Sequence, residues 1–445
     1  MTQKAQTTMP TDRTDAFIVL TREGAKLIAD STITAGGINL RYASVSDTYI
    51  VHSIEKARNT WIQADILRKF TALRWNDTSH VGQWMNLASS DLHLHHLQLL
   101  RRPGTAIPYE AFRAMVPGVR DPSTGLGLLI SYASDLDPQL RGAGASEFAG
   151  WLIERDGVRL VQIAVEPAIL GLDHLRDHWP VDLLASTSIM LVGCGSIGGA
   201  AAQALAAYGI GNMHLVDPDR FLWHNTVRHV LGPESVSRHK VDALKSRHQQ
   251  RWPQQNVTAH RLDVVDDVHH IRPLIDTVDI VPCTADGIAP RRVVSHLARR
   301  AGKPAVLACV LDHGSLGEIL RLRPTPRYGC LLCSRQYLAN LGAIDTEADQ
   351  ELDYGTGHTH QPMTAIPPDL HLIGTLTAKV AVATILESRH GDHTQRLPGE
   401  HAIIGLHPAN NLTAPFDLTH TTDIHWATIP PPRSACPTCN PTSLK

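Results

Sequence analysis

The sequence predicts an α/β protein, a doubly wound Rossmann-like domain preceded by an α+β accessory domain. Three observations carry this expectation. Residues 189–192 form a short continuous apolar run, the texture of a strand buried on both faces of a parallel sheet. That run leads into Gly193, Gly195 and Gly198, spaced G-x-G-x-x-G, and then into an alanine-rich helical stretch over residues 200–208. From Leu175 onward strand-like and helical stretches alternate, as they do where helices connect parallel strands.

Length and composition bound what these elements can build. The 445 residues allow two or three domains with sizeable cores. With 41 basic and 43 acidic residues, nothing in the charge points to nucleic acid or a membrane surface as partner. The first fifteen residues are polar and no apolar run approaches the roughly 18 needed to span a bilayer, so a soluble cytoplasmic protein is expected. Of the seven cysteines, four fall in two C-x-x-C pairs, Cys330/Cys333 and Cys436/Cys439, a spacing that favours metal over disulfide in the cytosol.

Taken in order, residues 1–14 read as a disordered arm. Residues 15–173 read as the accessory domain, with strands near 16–20, 126–132 and 158–165. His93, His95 and His96 invite a metal reading, but no acid stands at a distance that completes a ligand set. An alternating strand with its histidines on the wet face, or a helix turn, is the preferred reading. Residues 174–445 form the nucleotide domain. Strands are expected at 213–216, 257–260, 278–283 and 305–310, and helices at 235–249, 268–275, 289–301 and 370–389. The tail over 402–441 reads as two or three short strands.

The glycine loop lets the backbone turn tightly and approach a phosphate, which the following helix N-terminus favours electrostatically. Asp217 closes the next strand, where a ribose-binding acid would sit. The loop alone would serve an NAD(P)- or flavin-dependent oxidoreductase, but its surroundings point elsewhere. Asn225 and Arg228 stand eight and eleven residues beyond Asp217, Lys240 twelve further at a helix start, and Asp286 just past Cys283-Thr284. A nicotinamide site has no use for this set. A site that attacks a phosphate does: Arg and Lys neutralise phosphate oxygens and a carboxylate holds magnesium. Taken singly, Arg228 and Lys240 are ordinary surface charge; a scaffold with a dead site would have no physical reason to keep all five.

On these residues, 188–390 resemble the ThiF/MoeB-type adenylating enzymes, relatives of the ubiquitin-activating enzymes. The matching features are the glycine loop, the acid pair Asp217/Asp219, Asn225-x-x-Arg228, Lys240, the strand end before Asp286 and the two C-x-x-C pairs. The resemblance implies ATP, with its ribose on Asp217 and its phosphates over Gly193–Gly198. It implies contacts from Asn225, Arg228 and Lys240 to the triphosphate and Mg2+ oriented by Asp286. One residue is inserted before Asp286, and Arg291 falls where the family often has Arg. A split Zn2+ site on Cys330, Cys333, Cys436 and Cys439 is implied as well. The implied substrate is the free C-terminus of a ubiquitin-like protein, sulfur carrier or peptide. The resulting acyl-AMP would pass to the thiol or amine of a conjugating enzyme or sulfur donor.

Many relatives carry a thioester cysteine after the first C-x-x-C pair, yet residues 334–370 contain none. Cys194, Cys283 and Cys309 read as packing residues, Cys309 being the least unsuited to hold an acyl group. The loop 353–362 occupies that region, with His358 and His360 as candidate acid–base groups. The resemblance also implies a homodimer in which one subunit lends an Arg to the other; Arg176 is the substitute available here.

Overall fold

A computed structural model of the protein describes residues 16–44, 46–64, 79–87, 90–102, 104–121, 123, 127–167, 171–343, 365–407 and 412–440. The chain divides into two compact units, Met1–Gly171 and Leu172–Lys445. The arm expected over residues 1–14 lies outside the described residues.

The first unit runs β1 (Phe17–Leu20), α1 (Arg22–Ala29), β2 (Ala35–Ala43), β3 (Thr48–Ala57), β4 (Thr60–Gln63) and β5 (Ser79–Asn86). It continues through α2 (Asp91–Leu100), α3 (Tyr109–Met115), β6 (Gly127–Tyr132), α4 (Pro138–Gly142), β7 (Phe148–Glu154) and β8 (Gly157–Val165). The strand order is β1-β8-β7-β6-β5-β2-β3-β4, and β1 also pairs with β3. That extra pairing closes the sheet into a ring with β4 outside it. Ile18, Ile38, Leu40, Trp84, Ile130, Leu152 and Val161 form part of its buried core. Closure joins strands far apart in sequence, which is why only three strands were legible beforehand.

The three histidines lie on α2, so the helix reading holds. His93 sits with Nδ1 2.7 Å from the Ser146 carbonyl and Nε2 3.1 Å from Ser131 Oγ. His96 packs against the edge of Trp151, and burial pushes its pKa down to about 4. His95 faces outward, with Nδ1 2.9 Å from the Asp91 carbonyl. These side chains take separate partners, and no ligand cluster among the described residues includes them.

The second unit begins with α5 (Val181–Ala185), β9 (Ser188–Val192), α6 (Ser196–Tyr208), β10 (Asn212–Val216), α7 (Lys240–Arg251) and β11 (Asn256–His260). Next come α8 (Val268–Thr277), β12 (Val281–Cys283), α9 (Ile288–Arg300), β13 (Ala305–Leu311), β14 (Leu316–Leu322) and α10 (Leu331–Asn340). It ends with α11 (Pro367–His390), β15 (His401–Gly405) and β16 (Ile424–Ala427). The sheet order is β11-β10-β9-β12-β13-β14-β15-β16. The first five strands are parallel, and the last three continue the sheet antiparallel. This is the doubly wound architecture, and its order reverses between β9 and β12, where such sheets open a crevice at their strand ends.

Three expectations are corrected. The helix placed at 235–249 starts only at Lys240, because Pro233–Ser235 forms its own turn and Ser237 takes a left-handed φ of 75°. β14 went unseen because Glu318 and Arg321 interrupt its apolar pattern, although every residue of that strand is buried. The third concerns apolar length: α11 is long and apolar enough, by length and composition, to cross a membrane. Here Ile373, Ala378, Val380, Ala381, Val382 and Ile385 belong to the core of the second unit. Gly374 lets α11 approach α6 so closely that a Cβ there would lie 2.3 Å from the Ile197 carbonyl.

Candidate active site

The crevice between β9 and β12 is built by backbone geometry first. Gly193 ends β9 with φ of 84°, and a Cβ on it would lie 2.4 Å from the Ala285 amide. A Cβ on Gly198 would lie 1.9 Å from the Gly193 carbonyl. Gly195 faces open space, with nothing within 4 Å of an added Cβ. Gly195 also caps α6 without a side-chain hydrogen bond, so the first amides of α6 are open to an anion. Thr284 Oγ1 donates to the Gly193 carbonyl at 2.7 Å, locking the β12 end to the glycine loop.

Around this loop opens a cleft of about 980 Å3. It is lined by all but one of the residues named for the chemistry: Gly193, Gly195, Asp217, Asp219, Asn225, Arg228, Lys240 and Asp286. Arg291 and Cys309 line it too. Gly198 is packed behind the loop. Its part is to allow the turn.

Asp217 is almost enclosed, and both its oxygens accept backbone N–H groups, from Cys194 at 2.6 Å and Asp219 at 2.8 Å. It therefore ties the glycine loop to the β10 end, and a ribose hydroxyl would use its remaining lone pairs. Burial raises its pKa while Lys240 pulls it back. Lys240 is 8% exposed and stands at the positive end of α7, where the helix dipole disfavours a cation. Its Nζ donates to Asp219 Oδ2 at 2.7 Å. Burial opposes its charge, yet Asp217, Asp219 and Asp286 together hold its pKa above the ordinary lysine value.

Asn225 caps its own turn, its Oδ1 accepting from the Leu222 amide at 2.8 Å. That turn places Arg228, whose carbonyl is 2.8 Å from His371 Nε2 on α11. Arg228 Nε is buried without a hydrogen-bond partner among the described residues. Asp286 is surrounded by protein but opens onto the solvent of the cleft, which weakens the upward push of desolvation on its pKa; Lys240 and Arg228 push it down.

Several contributors had no signal beforehand. His229 Nε2 lies 2.8 Å from the Cys194 carbonyl, and burial holds the ring pKa down at about 4. Behind the cleft Glu318, fully enclosed, accepts from Arg335 at 2.6 and 2.5 Å and from Arg291 at 3.2 Å. Cys194 and Cys283 are buried, and burial pushes the Cys283 and Cys309 thiols up to about 11. At pH 7 the thiolate fraction of either is about one in ten thousand, so neither is an activated nucleophile. The loop 353–362, with His358 and His360, lies outside the described residues. Arg176 is engaged within its own unit, by Asp182 at 2.6 Å and Asp173 at 2.8 Å.

The four paired cysteines converge although 102 residues separate Cys333 from Cys436. Their sulfurs all lie within 4.8 Å of one another. Zn–S bonds of about 2.3 Å in a tetrahedron set sulfurs about 3.8 Å apart, so the donor set fits zinc. The Arg433 amide lies 3.4 Å from Cys333 Sγ, as for a thiolate acceptor.

Residues 174–437 match the sequence profile described as the ThiF family. The chain belongs to the ThiF family. An uncharacterized protein, y4oA, of Sinorhizobium fredii is 32% identical over 168 residues, covering 35% of this chain and 28% of that one. The sulfur carrier protein ThiS adenylyltransferase of Escherichia coli is 25% identical over 151 residues, covering 34% of this chain and 59% of that one. The match thus spans less than two thirds of either relative. Among solved structures, Escherichia coli MccB crystallised with AMPCPP and MccA matches at 19% identity with a TM-score of 0.43, covering 58% of this chain and 68% of that one. The ThiF-family match begins at the second unit and leaves the closed sheet of the first outside it.

Proposed function

We propose that the ThiF-family unit adenylates a C-terminal carboxylate, that of a ubiquitin-like protein, a sulfur carrier or a peptide, with ATP and magnesium. One observation carries the reading: Arg228, Lys240 and Asp286, from three separate parts of the chain, meet at the mouth of the glycine loop. The curated relative acting on a sulfur carrier supports the substrate class.

A terminal carboxylate has a pKa of about 3.5, so at pH 7 it is already an anionic nucleophile and no general base is needed. The difficulty is bringing an anion to a polyanionic phosphate. Arg228 and Lys240 screen the phosphate oxygens, the α6 amides cradle them, and Asp217 takes the ribose. Asp286 and Asp219 are oxygen donors of the kind magnesium takes; the bound ion neutralises charge on the phosphates. A carboxylate oxygen attacks the α-phosphorus, the bond to the β-phosphate oxygen breaks, and its electron pair leaves with pyrophosphate. Acyl-AMP remains. With the four paired cysteines committed to zinc and burial raising the thiol pKa of Cys194, Cys283 and Cys309, the acyl group passes directly to the thiol or amine of a partner, a sulfur donor or a conjugating enzyme. The zinc site ties the tail after β16 to the start of α10, and the unit works as a homodimer. The test is ATP–pyrophosphate exchange screened against small Gly-terminated proteins; magnesium-dependent exchange with one of them supports the reading, and NAD binding without exchange would overturn it.

A further inference from the structure

Arg291 is a buried cation that the triphosphate reading leaves unused. It is 1% exposed, sits in the first turn of α9 and lines the cleft. Its Nη2 lies 3.2 Å from Glu318 Oε2, while Nε and Nη1 have no hydrogen-bond partner among the described residues. Glu318 does not need it: Arg335 already gives that carboxylate two hydrogen bonds, and His401 Nε2 stands 3.0 Å from Oε1. Two guanidiniums share that carboxylate, and the other acid acting on Arg291 is Asp286, which Lys240 and Arg228 also serve. A buried guanidinium with unpaired N–H groups is costly unless an anion meets it.

The place of Arg291 in the sheet says which anion. The triphosphate groups hang from β9, β10 and α7 at one side of the crevice, with Asp286 after β12 between the two sides. Arg291 packs beside Cys309 of β13, the second strand from β9 on the other side. At about 4.8 Å per strand, that is about 10 Å from the glycine loop strand. The triphosphate has cations of its own in Arg228 and Lys240. The reaction has one other anion, the attacking carboxylate.

We propose that Arg291 is the subsite for the C-terminal carboxylate of the acyl donor, a proposal that rests on the adenylation reading above. One carboxylate oxygen on the guanidinium leaves the second free to attack. The α9 backbone and the Glu318 contact fix the guanidinium, so the carboxylate is positioned by a group that the phosphates do not displace.

The test is calorimetric titration of the full chain with three probes: AMPCPP with magnesium, a pentapeptide ending in diglycine with a free C-terminus, and the same peptide as its C-terminal amide. With and without AMPCPP, the free acid is expected to bind at least tenfold tighter than the amide. Arg291→Gln is expected to erase that difference while AMPCPP affinity stays within twofold, and Arg291→Lys to retain part of it. Equal binding of acid and amide to the wild-type chain, or binding of neither, overturns the proposal, and needs no variant to fold. So does an Arg291→Gln chain that loses AMPCPP affinity along with the peptide, since Arg291 would then be a phosphate ligand. Failure of the wild-type chain to bind AMPCPP would sink the adenylation reading instead, and the acid–amide comparison without nucleotide separates the two.

Discussion

Lys240 Nζ stands 2.7 Å from Asp219 Oδ2, and the same ammonium faces Asp217 and Asp286. One cation thus holds three carboxylates together. Lys240→Met is expected to lower ATP–pyrophosphate exchange at least about 100-fold, the usual scale for losing a transition-state charge partner. It is also expected to destabilise the fold by about 1–3 kcal/mol at pH 7, because the acids then repel one another. Burial already raises the pKa of Asp217, so lowering the pH protonates it and relieves that repulsion. Urea melts of variant and wild type at pH 7 and pH 4.5 check this: the stability gap is expected to narrow at the lower pH.

The glycines of the loop separate fold from ligand. Gly198→Ala would drive a Cβ to 1.9 Å from the Gly193 carbonyl, so this variant is expected to lose several kcal/mol, about 3 or more, and to bind no nucleotide. Gly195 has φ of −75° and open space beyond its Cα, so Gly195→Ala is expected to fold with stability within about 1 kcal/mol of wild type. Its new methyl group points where a phosphate approaches. Thermal melts with and without ATP distinguish the two outcomes.

Much of this site was legible in the sequence for a physical reason. Residues that contact a ligand through backbone or charge at strand ends keep fixed offsets from the strands, as Gly193, Asp217 and Lys240 do. What supports them was hidden. Glu318 and Arg291 are partners across 27 residues, and a charge inside an apolar strand obscured β14. In the first unit, closure of the sheet rests on β1 pairing with both β3 and β8, contacts that no local pattern announces.

The four cysteines are expected to hold one zinc per chain. Metal analysis of purified protein checks the stoichiometry. Cys436→Ser is expected to lower the melting midpoint by more than about 5 °C, since it frees the tail from α10. Chelation of the wild-type protein is expected to do the same.

Acid sensitivity is expected to begin above the carboxylate range. His96, His229 and His248 are buried, and burial pushes each pKa down to about 4 from an ordinary 6.5. A folded pKa below the unfolded one gives stability that is full above pH 6.5 and drains as pH falls toward 4, because the unfolded chain takes up protons the folded chain refuses. Each is expected to account for about 1–3 kcal/mol across that window. Melting midpoints from pH 7.5 to pH 4.5 measure it. His248→Gln is expected to flatten the slope.

Arg228 carries the most direct test of nucleotide chemistry, because its guanidinium Nε is buried in the cleft with no hydrogen-bond partner among the described residues. Titration of wild type and Arg228→Ala with magnesium-ATP and with NAD is the measurement. The expected result is ATP binding that weakens at least tenfold in the variant, with no NAD binding by either protein. Equal ATP affinity in the two proteins, or NAD binding in place of ATP, would contradict it.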